Sequence, residues 1–296
     1  MNTSSPLNFT IGIIGLGSIG CLIASQIPKS VHCFALLRNE EKKINFVIHD
    51  ERQSSSYELV AWQGEPLDVI IICCKASQCI SALDQWKKAI NPNTQLVIFQ
   101  NGFGQQDLVH QLFPNNALFA ASTTEGANRT NRYNIHHAGI GITQWGHYAG
   151  PYQPLKLKIT QLTGKHVKHK NIKQVLLEKL AINAVINPLT VKYNCTNGEL
   201  LTAPAAFNDF EKLCAETQSL FTQMGWLLSF NLFTRAQQVA KLTQNNISSM
   251  LQDVRNQQQT EIDFINGYLI NSANNNGFSL PINQELVKQI KGLFKA

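Results

Sequence analysis

The sequence predicts an α/β fold in which a parallel sheet comes first and an all-α region follows. Short apolar runs alternate with helical spacing through the first half of the chain, and helical periodicity dominates from residue 171 onward. The 296 residues are 44% hydrophobic and 15% charged, which is enough apolar material for two separate cores. This composition excludes a disordered, collagen-like or coiled-coil chain.

The N-terminal half consists of alternating predicted strands and helices. The run LDVIIICC at 67–74 is apolar on both faces, as expected of a central parallel strand. The predicted strands are 10–15, 31–37, 55–62, 67–74, 95–100 and 117–122, and the predicted helices are 18–27 and 77–90. Repeated strand–helix–strand units indicate a Rossmann-type doubly wound sheet.

The pattern changes after residue 122. Predicted strands at 136–145 and 155–159 extend or close the sheet, and the Lys/His-rich stretch 165–173 is interpreted as a linker or surface turn. Helices are predicted at 174–187, where Pro188 ends the first, and at 206–230, 234–242, 260–275 and 283–294. The sequence therefore predicts two domains, a parallel α/β domain at 1–170 and an all-α domain at 171–296.

The charge, hydropathy and cysteine content of the chain argue against several classes of function. The net charge of +6 suits a small anionic ligand and is too weak to indicate nucleic-acid binding. No apolar run approaches the roughly 20 residues of a membrane span, and the N-terminus lacks the basic region of a signal peptide. The seven cysteines lie mostly in apolar runs without metal-ligand spacing. We therefore expect a cytoplasmic protein with reduced thiols, no membrane association and no metal site.

A glycine-rich turn follows the first predicted strand. It consists of Gly15, Leu16, Gly17, Ser18, Ile19 and Gly20, which together form a G-x-G-x-x-G motif. Since the motif follows a strand and opens a helix, it is typical of a site where a dinucleotide pyrophosphate approaches the helix N-terminus. The alternative is an ordinary glycine-rich turn.

Polar residues after the next strands indicate which cofactor binds. The second strand ends at Arg38, where NAD-selective sites place an acidic residue, and a guanidinium there favours the 2′-phosphate of NADPH over NADH. Lys75, Gln78 and Asn101 follow later strands at the carboxyl edge of the sheet, where ligands of such sheets bind. Arg38 as a surface residue and Asn101 as a turn residue are the alternatives.

One predicted helix carries a polar stripe. Lys179, Asn183 and Asn187 are spaced four residues apart and share one face of an otherwise apolar helix. A helix this apolar should be buried, so the stripe faces a cleft or has internal partners. The alternative is a stripe that faces solvent.

A second polar group lies further along the chain. Asn246 and Ser249 lie in the polar cluster at 246–250, and Glu261 follows at the start of a predicted helix. Without further information, helix capping is the simpler interpretation of these three residues.

Taken together, these segments resemble those of the ketopantoate reductase (2-dehydropantoate 2-reductase) family over almost the full length. The resemblance rests on GLGSIG, Lys75-Ala76, Asn101-Gly102, the segment from Lys179 to Thr190, NCTNGEL at 194–200, 246–253 and Thr260–Asp263. It implies NADPH-dependent reduction of 2-dehydropantoate to (R)-pantoate in pantothenate synthesis, with the active site in the cleft between the two domains. One departure is the segment after the sixth strand, where the family usually has a run of threonines ending near a histidine and this chain has the acidic Glu125 within 121–127.

The resemblance also implies roles for individual residues. Lys179 is the general acid and Glu261 supports it. Asn183, Asn187, Asn246, Ser249 and Asn101 bind the substrate, while Arg38, Lys75, Gln78 and Asn101 join the glycine motif in binding NADPH/NADP+. A reductase of another 2-keto acid and a non-catalytic NADP(H) sensor are the alternatives. We expect a small-molecule substrate and a monomer or homodimer.

Overall fold

The computed structural model describes residues 9–51 and 53–294. These residues divide into two compact units. The first takes the described residues up to Gln100 together with Gln105–Ile172, and the second takes Asn101–Gly104 together with the described residues from Lys173 onward. The short segment 101–104, which follows a strand of the first unit, thus belongs by its contacts to the second.

The first unit is built on one sheet, which contains the eleven strands found among the described residues. The strands are β1 (Thr10–Ile14), β2 (His32–Leu36), β3 (Lys43–His49), β4 (Ser54–Ala61), β5 (Val69–Ile72), β6 (Gln95–Ile98), β7 (Leu118–Thr123), β8 (Gly126–Asn131), β9 (Asn134–Gly139), β10 (Thr143–Ala149) and β11 (His166–Lys168). Their order is β11-β10-β7-β6-β5-β1-β2-β4-β3-β9-β8.

The parallel centre of this sheet confirms the predicted doubly wound fold. Six parallel strands run in the order β4-β2-β1-β5-β6-β7. If only these six parallel strands are numbered along the chain, their order across the sheet is 3-2-1-4-5-6. This is the arrangement of dinucleotide-binding sheets. The strand order reverses between β1 and β5, so the carboxyl ends of these two strands mark the point where such folds bind ligands.

The two edges of the sheet correct the prediction for 123–170. The strand predicted at 136–145 is interrupted at 140–142, where the Gly141 backbone passes so close to Thr124 that an added Cβ would lie 2.4 Å from its carbonyl carbon. The interruption separates β9, which pairs with β8 and β3, from β10, which pairs with β7. The predicted linker at 165–173 contains β11, which is parallel to β10.

The prediction of a strand at 155–159 was wrong. Leu155, Leu157 and Ile159 pack against the core of the first unit while the chain between them stays irregular and ends in a short 3-10 turn. The period-two pattern thus reports alternating burial without strand pairing. Conversely, β3 was missed although Ile44, Phe46 and Ile48 are buried at alternate positions.

The helices of the first unit are α1 (Ser18–Gln26), α2 (Cys79–Gln85) and α3 (Gln105–Leu112). The helix predicted at 77–90 is shorter than expected, since 3-10 turns at Ala76–Gln78 and Lys87–Ala89 flank α2. Helix α3 was not predicted.

The second unit is helical, as predicted. Its helices are α4 (Ile172–Tyr193), α5 (Pro204–Gln223), α6 (Leu232–Leu242), α7 (Ser249–Arg255), α8 (Asn266–Asn275) and α9 (Pro281–Gly292), with 3-10 turns at Glu199–Leu201 and Ile262–Phe264. The helix predicted at 206–230 ends at Gln223, and Gly225 follows with a φ of 66°, as is common just after a helix. The helix predicted at 260–275 is broken at Ile265, and α7 was missed.

Helix α4 continues through Pro188, where the sequence predicted its end. Proline has no backbone N–H, so the carbonyl of Ala184 loses its intrahelical donor. The side-chain amide of Asn266 replaces that donor, with 2.8 Å between Nδ2 and the Ala184 oxygen. Tertiary contact therefore offsets the cost of a proline inside the helix, about 3 kcal/mol.

Candidate active site and cofactor site

The glycine-rich turn between β1 and α1 brings the backbone close together. Gly15 has a φ of +87°, and a Cβ there would lie 2.3 Å from the Cys74 nitrogen. A Cβ at Gly20 would lie 2.1 Å from the Gly15 oxygen. At Gly17 a Cβ would meet nothing within 4 Å. The first and third glycines therefore serve close packing, while the second leaves open space at the N-terminus of α1.

Two cations lie near this turn. Lys75 is half-buried and begins the 3-10 turn after β5, and its carbonyl accepts a hydrogen bond from the backbone N–H of Gln78. Arg38 is exposed. The pKa of Cys74 is lowered chiefly by a hydrogen bond from Cys79 and to a smaller extent by the charge of Arg38, so the guanidinium lies near the end of β5. The structure thus brings Arg38, Lys75 and the turn together.

Sequence reasoning missed a third cation at this turn. Arg129 lies on β8, and its guanidinium donates to the carbonyl of Leu16 at 2.5 Å. Nothing in the polar, exposed sequence of β8 indicates this contact. It arises because β8 lies at the sheet edge and packs near α1.

Glu125 has partners within the first unit. It is buried; its Oε2 lies 2.6 Å from His137 Nε2 and accepts the backbone N–H of Gly141 at 3.0 Å. These bonds hold the turn that leads into β10. Glu125 is thus satisfied by a histidine 12 residues further along the chain and by the Gly141 backbone.

In the second unit, Lys179 and Glu261 form the centre of the candidate active site. Burial lowers the pKa of Lys179 to about 8, and the negative charge of Glu261 acts in the opposite direction. Glu261 lies immediately before the 3-10 turn Ile262–Phe264. Its Oε2 accepts a hydrogen bond of 3.3 Å from Asn101 Nδ2. The structure therefore brings together a half-buried ammonium, a carboxylate and an amide from three separate parts of the sequence.

The rest of the polar stripe lies on the same helix. Helix α4 spans all of Lys179, Asn183 and Asn187, so the predicted common face is present. Lys179 and Asn183 are half-buried and Asn187 is buried. A stripe that simply faces solvent, the alternative interpretation, does not describe these residues.

Asn246 and Ser249 flank a residue with a different role. Ser248, which lies between them in sequence, is the N-cap of α7 and accepts the backbone N–H of Leu251 at 3.1 Å. Its hydroxyl also lies 2.6 Å from Thr190 Oγ1 on α4. Asn246 and Ser249 themselves are exposed. The capping role that the sequence suggested here belongs to Ser248, which ties this loop to α4.

The described residues contain neither a membrane-spanning helix nor a cluster of metal ligands. None of the helices between residues 9 and 294 is both long and apolar enough to cross a membrane. The same part of the chain contains no group of three or more His, Cys, Asp or Glu side chains arranged to hold a metal ion. All seven cysteines are free thiols.

Comparison with known families matches both parts of the chain. Residues 11–150 match the family model described as "Ketopantoate reductase PanE/ApbA". Residues 171–294 match the model described as "Ketopantoate reductase PanE/ApbA C terminal". The glycine turn lies in the first match, and Lys179 and Glu261 lie in the second.

Curated relatives and solved structures agree with these matches. The chain is 31% identical over 300 residues to a 2-dehydropantoate 2-reductase of Yersinia pestis, covering 95% of this chain and 94% of the relative. It is 33% identical over 293 residues to the Shigella flexneri enzyme of that name, with the same coverage.

The solved structure of a probable 2-dehydropantoate 2-reductase from Bacillus subtilis has a TM-score of 0.83 and 26% identity, covering 96% of this chain and 100% of that chain. A D-mandelate dehydrogenase solved with NADH and anilino(oxo)acetate has a TM-score of 0.85 at 18% identity, covering 97% of this chain and 98% of that chain, which shows a shared fold alone. Matches to both family models over most of the chain, with relatives above 30% identity along nearly its whole length, show that the chain belongs to the ketopantoate reductase family of oxidoreductases.

Proposed function

We propose that the protein reduces 2-dehydropantoate to (R)-pantoate with NADPH, a step of pantothenate biosynthesis. The observation that carries the proposal is the half-buried, desolvated Lys179 beside Glu261, on a polar stripe within the segment that matches the family's C-terminal model. The curated relatives that match along nearly the whole chain bear the name of this activity. In this proposal residues 1–170 bind the cofactor and residues 171–296 bind the substrate.

The residues of the glycine turn fit a dinucleotide. The open space at Gly17 adjoins the N-terminus of α1, whose backbone N–H groups and dipole favour a pyrophosphate. Arg38, Lys75 and Arg129 add positive charge around it. We assign NADPH over NADH because Arg38, at the end of β2, is suited to bind a 2′-phosphate through charge-assisted hydrogen bonds.

The chemistry divides between cofactor and protein. NADPH, when bound, supplies the hydride that reduces the ketone carbon. Negative charge then develops on the carbonyl oxygen, and the Lys179 ammonium stabilises it and donates a proton there. Glu261 helps keep Lys179 charged, and Asn101 orients Glu261 through its hydrogen bond to the carboxylate. A lysine pKa of about 8 leaves the side chain largely protonated at neutral pH and still able to give up its proton.

Neutral donors suit the remaining groups of the substrate. Asn183 and Asn187 extend the stripe from Lys179, and Asn246 and Ser249 lie on the loop that Ser248 ties to α4. Amides and a hydroxyl bind a carboxylate and an alcohol without adding charge that would compete with Glu261 for the lysine. We assign these four residues to the substrate.

Steady-state oxidation of NADPH against a panel of 2-keto acids tests the proposal. We expect the highest kcat/KM with 2-dehydropantoate. A higher kcat/KM with another 2-keto acid would indicate a reductase of different specificity. Cofactor binding without turnover of any member of the panel would indicate an NADP(H) sensor. Free cysteines and a biosynthetic role favour a cytoplasmic location, and the proposal is compatible with a monomer or a homodimer.

A further inference from the structure

A chain of buried amides lies behind the helix that carries Lys179. Pro188 leaves the Ala184 carbonyl without an intrahelical donor, and Asn266 Nδ2 donates to it at 2.8 Å. Asn266 has no exposed surface. Since a carbonyl oxygen can only accept, the NH₂ group of Asn266 must face α4, and the orientation of the amide is determined.

The chain continues to an anchored carboxylate. Asn266 Nδ2 also donates to Asn283 Oδ1 at 2.7 Å, and Asn283 Nδ2 donates to Glu216 Oε1 at 2.9 Å. Glu216 further accepts the backbone N–H groups of Ile282 and Asn283 at the start of α9, where the helix dipole favours an anion. Asn266 is therefore held on one side by a charge-assisted network and on the other side by α4.

The position of this link relates it to the candidate active site. Ala184 is the neighbour of Asn183 on α4, within the stripe that begins at Lys179. Asn266 is the first residue of α8 and follows Glu261 by five residues, across the 3-10 turn Ile262–Phe264. The hydrogen bond from Asn266 to Ala184 thus joins the backbone that carries the lysine to the segment that carries its carboxylate.

We propose that Asn266 is a positioning residue for the reaction: by supplying the donor that Pro188 removes, it holds α4 against the segment of Glu261 and so sets the separation of Lys179 and Glu261. This inference rests on the proposed function, because it takes Lys179 as the proton donor. Asn266 itself touches backbone and another amide, so its effect on the reaction passes through the lysine.

Loss of the link has a defined electrostatic consequence. Burial lowers the pKa of Lys179, and the charge of Glu261 partly compensates. The attraction between the two charges weakens as their separation grows. Without Asn266 the pKa of Lys179 falls further, and less of the lysine is protonated at neutral pH.

The test compares Asn266→Ala with a control on the same helix. Asn274→Ala removes an exposed asparagine of α8 and should leave kcat and its pH profile unchanged. For Asn266→Ala we expect kcat to fall about tenfold, as for a slightly misplaced catalytic group. The alkaline limb of the kcat profile should move to lower pH by about half a unit. The KM for NADPH should stay within about twofold of that of the parent protein, because the substitution removes no residue assigned to the cofactor site.

A double variant separates positioning from stability. Pro188→Ala supplies a backbone N–H for the Ala184 carbonyl, so Asn266→Ala combined with Pro188→Ala should regain thermal stability. If Asn266 positions the lysine, the double variant keeps the low kcat and the shifted limb. If kcat and the limb recover together with stability, or never change in Asn266→Ala, the proposal is wrong. If Asn266→Ala alone does not fold, kcat and the alkaline limb are compared between the double variant and the parent protein instead.

NMR titration of Lys179, labelled at its side chain, distinguishes failure of this inference from failure of the proposed function. The titration needs no substrate. A pKa near 8 in the parent protein and a lower one in the Asn266 variants would support the positioning role even if 2-dehydropantoate is not turned over. Equal pKa values in both proteins would overturn it whatever the substrate.

Discussion

At the scale of single residues, the candidate site depends on opposing effects on one lysine. Burial makes the ammonium of Lys179 less favourable, and Glu261 makes it more favourable. Asn101 binds the carboxylate that supplies this attraction. The balance keeps Lys179 charged at neutral pH with a pKa far below that of an ordinary lysine, which is the property a general acid requires.

Removal of the lysine should abolish most of the catalysis. We expect Lys179→Ala to lower kcat by about 10²-fold or more, the range typical of a lost general acid. Lys173→Ala, on the exposed side of the same helix, is the control and should stay near parent activity. Near-normal turnover of Lys179→Ala would remove Lys179 from the proton-donor role.

The pH dependence follows from the sign of the pKa shift. Lys179 can donate a proton only when charged, so kcat should decline as pH rises through about 8. In Glu261→Gln the attraction that raises the pKa is lost, so the decline should begin at lower pH. Profiles of kcat for the two proteins check this, and an unchanged limb in Glu261→Gln would show that Glu261 does not set the lysine charge.

At the scale of elements, two connections place the functional groups. The turn from β1 to α1 gives open space at Gly17 because Gly15 and Gly20 pack so closely. The start of α7 is tied to α4 through Ser248 and Thr190, which positions the loop that carries Asn246 and Ser249. In the first turn the closely packed Gly15 and Gly20 flank the open Gly17, and at α7 the buried Ser248 precedes the exposed Ser249.

The glycines of the first turn should therefore respond differently to alanine. Gly20→Ala places a Cβ 2.1 Å from the Gly15 oxygen and should lower the thermal midpoint. Gly17→Ala adds a methyl group in open space and should keep the midpoint while raising the Kd for NADPH. Thermal unfolding and cofactor titration check both variants, and a destabilised Gly17→Ala would contradict the assignment of that space to the cofactor.

The adjacent serines of α7 form a second matched pair. Ser248→Ala removes the cap and the bond to Thr190, so we expect a loss of about 1–2 kcal/mol in the free energy of unfolding. Ser249→Ala should keep that free energy and raise the KM for the keto acid. Denaturant unfolding and steady-state kinetics separate the two roles. Equal behaviour of the two variants would show that Ser249 does not bind substrate.

At the scale of the whole molecule, several of the basic residues behind the modest net positive charge lie at the two candidate sites. Of the charges behind the net +6, Arg129 contacts the glycine turn of the first unit through the Leu16 carbonyl. Besides a hydrogen bond from Cys79, the charge of Arg38 lowers the pKa of Cys74. The Cys74 backbone lies against Gly15, and Lys75 follows Cys74 in sequence. Lys179 lies in the second unit, near the charge of Glu261. These charges are thus divided between the proposed cofactor site of the first unit and the proposed proton donor of the second.

Ligand-induced stabilisation tests the cofactor assignment without turnover. A ligand that binds only the folded state at 100 times its Kd contributes about 2.7 kcal/mol, so NADPH should raise the Tm of the full chain. At equal concentration NADH should raise it less, and Arg38→Ala should reduce this difference. An equal shift by both cofactors in the parent protein would overturn the preference for NADPH.

The fold class follows from the sequence alone, and so does the common face of Lys179, Asn183 and Asn187 on α4. Periodicity in apolar runs predicts the parallel strands and the C-terminal helices because burial repeats with the geometry of each element. The G-x-G-x-x-G turn and the stripe on α4 were visible for the same reason, since spacing within one element suffices to place them. Segments whose packing is set by distant partners were misjudged: 155–159 is buried without pairing, and α4 continues past Pro188.

The meeting of residues from different elements depends on the tertiary structure. It placed Arg129 of β8 against the glycine turn, Asn101 beside Glu261, and Asn266 against the carbonyl that Pro188 leaves without a donor. It also transferred the capping role near 246–249 to Ser248. Local sequence carries the preferences of one element. The hydrogen bonds that satisfy buried polar groups, and the burial that lowers the pKa of Lys179, depend on chain segments far apart in sequence.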